Sequence, residues 1–439
     1  MKKGLLMLLM GLIALGTSVK VYADARTDAM GTDVREVQDL DLIWLYPNMV
    51  TQYKNTVDFR LNEGPNYPGD GNFGDGTGEW GGVIAEETAL GGVLGVYVNR
   101  PSYFYNGSAY TDIYSSILAR DPLRNIWGTI GNANSGWDFG KNLDAYENTN
   151  IVDIFWGQGI GGADLGVHVN YGDNGVNNQT NQNASGSLAL GLGFTGAGPF
   201  DELNIHADYD MESITSLELT TKNHDNGIYD VKLGALGQSN VSTDSFIRTF
   251  LDATIDQEDL KDLQQFGITD STLVLGTSFS HKVNGGKGLV LTGLEFDWVG
   301  AQGTQYNNSP TPNQVENEDS WNLIWNGSVE SELASWLTAR FGISAPIVAR
   351  DYSSNIEPGG HGDPDAGISY YSGVHNSVSF TGGFGINWQN FTLDTVIDIA
   401  SLESSIANVQ PGNGLLFSNT LHNDGNILTV TEADLRYKF

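Results

Sequence analysis

From Thr56 to the carboxyl terminus, apolar and polar side chains alternate in segments of about 8 to 14 residues separated by turn or loop residues. In an extended strand successive side chains point to opposite faces, so such a segment has one apolar and one polar face. Phe380, Phe384 and Ile386 share a row against Ser379, Thr381, Gly383 and Gly385. At the end of the chain Ala433, Leu435, Tyr437 and Phe439 share a row against Asp434, Arg436 and Lys438. Alone, that last segment reads better as the closing strand of a soluble sandwich.

The pattern predicts strands near 56–62, 80–86, 92–100, 149–157, 164–171, 185–195, 201–222, 228–236, 244–253, 271–282, 288–299, 320–331, 333–347, 376–387, 390–401 and 426–439. The count is even, as a closed single-chain barrel with both ends on one side requires. Short links at 87–91, 157–162, 283–287 and 387–389 alternate with long ones at 62–79, 101–148, 300–319 and 349–375. Short turns at one end and long loops at the other belong to a membrane barrel, whereas a sandwich has no reason to favour one end. The expected class is all-β, a transmembrane antiparallel up-and-down β-barrel of fourteen to sixteen strands, sixteen on this walk. The last strand is expected to pair back to the first, with Asp434, Arg436 and Lys438 on the same inner wall as Asp58 and Arg60.

The chain opens with Lys2 and Lys3, an apolar run over 5–15 and then Val21-Tyr22-Ala23. This reads as a secretory leader over 1–23, removed after about Ala23. Its apolar run is too short to cross a hydrocarbon core of about 30 Å, and no later stretch is long enough for a membrane helix. With no cysteine there is no disulfide framework, so stability must come from backbone pairing or a large core. The expected location is the outer membrane of a Gram-negative bacterium. The barrel would meet outer-membrane lipid and lipopolysaccharide, with the barrel-assembly machinery reading the closing strand that ends at Phe439.

The formal charge of -32, from 53 acidic and 21 basic residues, argues against nucleic-acid binding and direct attraction to anionic lipid. Much of the acid falls in Gly-, Asn- and Pro-rich stretches at 62–79 and 302–319, which read as a solvated rim. Asp70, Asn72, Asp75 and Glu79 gather oxygen donors, but not at EF-hand spacing. His361, Asp363 and Asp365 lack a fourth donor, and no metal or cofactor is expected. Leu260, Leu263 and Phe266 stand at helical spacing after a candidate Asp256 cap, and 111–120 offers another helical turn. The 101–148 interval is unusually aromatic, with Tyr103, Phe104, Tyr114 and Trp127 as a lid or an apolar ligand surface.

If the apolar rows meet lipid, the opposite rows name the lumen: Asp58, Arg60, His168, Asn170, Glu202, Asn204, His206, Asp208, Asp230, Lys232, Glu295, Asp297, Arg340, Asp394 and Asp398. Any one of these also serves as an ordinary salt-bridged filler of a barrel interior. His168, His206 and His281 offer general bases and Ser278 and Ser280 lie near His281, but no motif orders a triad and no G-x-S-x-G elbow is present. An enzyme is not expected.

Ahead of the first strand lie Arg26-Thr27-Asp28-Ala29-Met30-Gly31 and Asp39-Leu40-Asp41-Leu42-Ile43-Trp44-Leu45-Tyr46-Pro47-Asn48. These stretches resemble the start of the FadL-type hydrophobic-compound transporters and the related PorV-like outer-membrane proteins. The resemblance implies an amino-terminal hatch over 24–55 that plugs a barrel running over 56–439, with Leu42 and Trp44 in the plug and Tyr46, Pro47 and Asn48 near its functional turn. The sequence departs from the family where an Asn-Pro-Ala order is replaced by Tyr46-Pro47-Asn48, where the segment is shorter, and where sixteen strands stand against fourteen. Independently, Leu40, Leu42, Ile43, Trp44 and Leu45 are too apolar for an exposed tail, and the lumen is their nearest cover. The alternative is a further strand over 37–46, which would make the count odd.

The leading expectation is a passive channel for small hydrophobic or amphipathic compounds. A general porin for small hydrophilic solutes and a non-transporting PorV-like surface scaffold are the alternatives.

Overall fold

The computed structural model describes residues 25–61, 80–87, 91–98, 150–173, 181–216, 224–260, 266–305, 314–356, 379–397 and 430–439. The leader over 1–23, the aromatic residues Tyr103, Phe104, Tyr114 and Trp127, the loop donors at 70–79 and 361–365, and Asp398 lie outside them.

Sixteen strands form one closed, wholly antiparallel barrel in which each strand pairs with its sequence neighbours. They are β1 (Thr56–Leu61), β2 (Trp80–Glu87), β3 (Gly92–Val98), β4 (Asn150–Ile160), β5 (Ala163–Asp173), β6 (Asn181–Thr195), β7 (Glu202–Ser216), β8 (His224–Asn240), β9 (Ser245–Leu260), β10 (Phe266–Val283), β11 (Gly288–Gln305), β12 (Gln314–Ala334), β13 (Leu337–Ile356), β14 (Ser379–Trp388), β15 (Phe391–Ile397) and β16 (Val430–Lys438). Strand β16 closes onto β1 from Thr56 opposite Lys438 to Leu61 opposite Ala433. Closure leaves no strand edge unpaired, which is what lets a sheet sit in lipid without unsatisfied backbone groups.

The tight connections share one end with the start of β1 and the end of β16. Gly161 and Gly162, both at positive φ, turn β4 into β5, and Asn284, Gly285 and Gly286 turn β10 into β11. The longest intervals between strands, 99–149 and 398–429, fall at the opposite end.

One local expectation and one alternative fail. The helix predicted from Asp256 is strand instead: β9 runs on to Leu260, pairing Asp256 with Asp230 of β8 and with Asp270 of β10. Two flanking ladders satisfy every backbone donor and acceptor there, which outweighs a three-residue helical spacing. The further strand weighed for 37–46 is a pair of turns and helix α2 (Leu42–Leu45), following helix α1 (Ala25–Met30).

The outward row is apolar: Leu188, Leu190 and Leu192 of β6 are exposed beside Val169 of β5, while the alternating Ser187 and Ala189 are buried. Exposed Trp336, Trp388 and Phe439 ring the short-turn end, and exposed Tyr171, Tyr209 and Tyr229 stand towards the other. From Glu202 to Tyr209 and from Asn240 to Tyr229 the strands climb about 20–30 Å, taking about 3.4 Å per residue and a tilt of about 40°. An apolar belt of that height between aromatic girdles is the surface of a membrane-spanning barrel.

The lumen and the segment inside it

Residues 25–53 lie within the barrel, and most are buried. Their contacts run to inward-facing positions on opposite walls, so the segment crosses the lumen near the short-turn end. Three kinds of contact hold it.

The first is close backbone approach over glycines. Pro47 opens a 3-10 turn (Pro47–Gln52), where its fixed φ suits a first helical position. That turn lies directly on β5 and β6. A Cβ at Gly166 would come within 2.0 Å of the Asn48 backbone nitrogen, and one at Gly191 within 2.8 Å of the same atom. Asn48 Nδ2 then donates to Asn204 Oδ1 of β7 at 2.6 Å. Across the lumen, a Cβ at Gly342 would come within 1.9 Å of the Met30 carbonyl oxygen, so the end of α1 is seated against β13 in the same way. Glycine's missing side chain is what allows these approaches.

The second is a set of buried guanidinium clusters. Arg35 bonds Asp33 at 2.6 Å on its own segment, Asp252 of β9 at 2.7 Å and Glu295 of β11 at 3.3 Å, and lies 4.0 Å over the Phe250 ring. Arg26 reaches Glu330 of β12 at 2.8 Å, and Arg340 of β13 joins the same carboxylate at 2.7 Å and Asp394 at 2.6 Å. At the β1–β16 seam Arg60 donates to both oxygens of Asp41 and to Asp58 at 3.3 Å, with Asp434 3.9 Å away. Arg436 adds Asp39 at 2.7 Å and Asp58 at 3.4 Å. Each fork matches carboxylate geometry, and pairing is what lets these charges remain away from water.

The third is apolar and aromatic. Trp44 meets Tyr97 and Phe155 edge-on at 5.1 and 4.7 Å, and Phe155 stacks on His168 at 4.2 Å. Leu40, Leu42, Ile43, Leu45, Met49 and Val50 complete this core with Ile84, Val93, Leu236 and Val274 from the wall. Tyr46 lies 4.9 Å from His206, which pairs with Asp252 at 3.0 Å.

The positions read from the sequence as inward fall into groups. Asp58, Arg60, Glu295, Arg340 and Asp394 join the guanidinium clusters, as does Asp252, which the sequence reading had not singled out. His168 pairs with Asp153 at 2.9 Å. Further from the segment, Lys232 sits 2.9 Å from both Asp210 and Asp230, and Asp208 is its register partner. Asp297 is buried, whereas Glu202 is half-buried near the rim and accepts from Gln52 at 3.1 Å. Ser278 and Ser280 face inward, while His281 faces outward with Ser245 at 2.8 Å. No group of three or more His, Asp or Glu side chains is placed to hold a metal ion among the described residues.

Glu36, on the segment and fully enclosed, accepts from Thr32 Oγ1 and from Asn326 Nδ2 at 3.5 Å. Burial pushes its carboxyl up to about 7, with nearby Asp33 adding to the rise and Thr32 and Arg35 opposing it. A group raised in the folded state contributes stability that is complete below its unfolded value, near 4.5, and is lost as pH rises towards about 7. Docking of residues 25–53 should therefore weaken over that window, by at most roughly 3 kcal/mol. Hydrogen exchange of this segment against pH measures the slope, which Glu36→Gln should flatten; an unchanged slope in that variant assigns the effect elsewhere.

No protein-family model and no curated protein matches this chain. Among solved structures it is similar to the Pseudomonas putida toluene transporter TodX, at 8% identity and a TM-score of 0.35, covering 96% of this chain and 98% of that one. It is also similar to P. aeruginosa FpvA bound to heterologous pyoverdines, at 11% identity and a TM-score of 0.39, over 58% of this chain. That match spans only 40% of FpvA's own length. The FrpB iron transporter of Neisseria meningitidis gives 8% identity and a TM-score of 0.34, covering 86% of this chain and 67% of that one.

Proposed function

We propose that this chain is an outer-membrane transporter of a Gram-negative bacterium, passively admitting small hydrophobic or amphipathic compounds, with residues 25–53 as its plug. The observation that carries this reading is how the segment is held. Its charged anchors Arg26, Arg35, Asp39 and Asp41 are hydrogen-bonded to ionic partners on the wall, and water can take over those bonds if the segment shifts. A segment fixed only by a dry core would have no such route. The aromatic seam of Trp44, Tyr97 and Phe155 supplies an apolar contact for the non-polar part of a solute.

The 2.6 Å contact between Asn48 and Asn204 provides the test. The chain has no cysteine, so Asn48→Cys with Asn204→Cys can be joined by a short thiol-to-thiol reagent with no competing site. Cross-linking should block entry of an amphipathic solute into liposomes, and cleaving the link should restore it. Equal entry in both states would sink the plug reading.

A porin for small hydrophilic solutes is the second reading, favoured by the inward carboxylates Asp208, Asp210, Asp230 and Asp297. It calls for steady conductance with cation preference in the unmodified protein. The aromatic row of Trp388, Phe391, Tyr437 and Phe439 supports recognition of the closing strand by the barrel-assembly machinery.

A further inference from the structure

The short-turn mouth holds a cavity of about 420 Å³ between the inner segment and the wall of β8 to β13. Its lining gathers Arg26, Arg248, Lys282 and Lys287, a concentration of cations in a chain whose formal charge is -32. Arg248 is the unusual member. It is only 4% exposed, yet its bonds go to neutral oxygens alone: Gln238 Oε1 at 2.9 Å, the Glu36 carbonyl at 3.1 Å and Gln38 Oε1 at 3.1 Å. Among the described residues the other buried arginines, Arg35 on the segment and Arg60 and Arg340 on the wall, each face a carboxylate within 3.3 Å. A guanidinium has five donors, so two of Arg248's, one on each terminal nitrogen, remain for a ligand.

The carboxylates at this mouth are largely accounted for. Glu330 is shared by Arg26 and Arg340, and Glu332 lies 3.8 Å from Lys287. Burial holds the Glu36 carboxyl protonated up to about pH 7, so it adds little repulsion below that. Lys282 stands exposed at the rim, and Asn240, Ser242 and Thr243 supply neutral polar groups around it.

We infer that this mouth is an oxyanion-binding site, in which Arg248 and Lys282 receive the phosphate or carboxylate of a small polar molecule and Asn240 and Ser242 bond its body. The buried arginine without a carboxylate gains the missing counter-charge from the ligand, and its planar fork suits two oxygens at once. Phe246, with the Arg248 guanidinium 5.2 Å from its ring, flanks the anion on its apolar side.

Calorimetry on the intact barrel in neutral detergent tests this without any transport step, so its outcome stands apart from that of the plug reading. The probes are glucose 6-phosphate, inorganic phosphate and glucose. Glucose 6-phosphate should bind more tightly than inorganic phosphate, and glucose should not bind. Arg248→Gln should weaken glucose 6-phosphate by about tenfold or more, the worth of a charge-assisted pair. Because Arg248 also touches the segment, Lys282→Gln is the independent arm: it lies on the rim, leaves those bonds intact, and should weaken binding severalfold. Absence of phosphate binding, equal binding of glucose, or wild-type affinity in both variants overturns the site.

Discussion

Replacing Arg60 with methionine should cost the barrel about 3–5 kcal/mol, the usual penalty for stranding buried carboxylates by removing their cation. Arg60 is buried at the seam where the last strand meets the first, standing opposite Asp434 in register while Asp58 stands opposite Arg436. Asp39, Asp41, Asp58 and Asp434 share the guanidinium groups of Arg60 and Arg436 there, and Arg26 reaches Asp39 from the segment at 3.2 Å. With Arg60 gone, Arg436 is left as the cation for Asp58 and Asp434 and shares Asp39 with Arg26, and Asp41 loses both of its bonds to Arg60. The loss should appear as a lower urea midpoint for the compact gel form of the unboiled protein. Adding Asp41→Asn and Asp434→Asn to the same chain should restore most of it, because the neutral amides no longer repel one another. Arg60→Lys should fall between, keeping the charge but losing the two-pronged geometry. A methionine variant within about 0.5 kcal/mol of wild type would show that water already screens this cluster.

The sixteen strands are legible in the sequence because a strand in a membrane barrel has two solvents. Lipid selects Leu188, Leu190 and Leu192 on one side, and the lumen selects Ser187 and Ala189 on the other, so period-2 alternation reports both position and face. Where both faces leave the lipid, that signal fades. Strands β12 and β13 extend to Gln314 and Ile356, through Glu316-Asn317-Glu318-Asp319 and Asp351-Tyr352-Ser353-Ser354, which read as loop by polarity alone. The extension of β9 through Asp256 is hidden differently, by the helical spacing of Leu260, Leu263 and Phe266.

The interior is less legible. Inward positions such as Asp58, Glu295 and Arg340 follow from alternation, but the wall partners of Arg35, Asp252 and Glu295, lie 217 and 260 residues away in sequence. Nothing local pairs them; only barrel closure and the path of the inner segment do. Arg35, Glu36, Arg248 and Asp252 were therefore not singled out. One signal was available and unused: Gly166, Gly191 and Gly342 occupy inward positions in otherwise well-formed strands. A glycine there weakens a strand and calls for a close backbone neighbour.

Removing residues 25–53 should raise single-channel conductance by about an order of magnitude or more, since conductance follows the narrowest part of a pore and its lining. In the intact chain α1 rests on β13 at Gly342, Arg35 ties to β9 and β11, and the Pro47 turn lies on β5 and β6. These contacts reach widely separated strands of one closed ring, so the segment stretches across the lumen, and no local shift of one end opens the whole section. The shortened chain keeps all sixteen strands, because β1 begins only at Thr56. Loss of Arg35 and Asp41 leaves Asp252, Glu295 and Arg60 with fewer partners, but water entering the emptied lumen solvates them, which limits the cost to the barrel. The carboxylates uncovered on β7, β9 and β11 should also make the enlarged pore cation-selective, and more so at low salt, where screening is weakest. Retained heat-modifiable mobility separates this outcome from misfolding. A folded, shortened barrel with wild-type conductance would mean that the segment does not obstruct the pore, and the transport reading would then have to rest on the opposite end of the barrel.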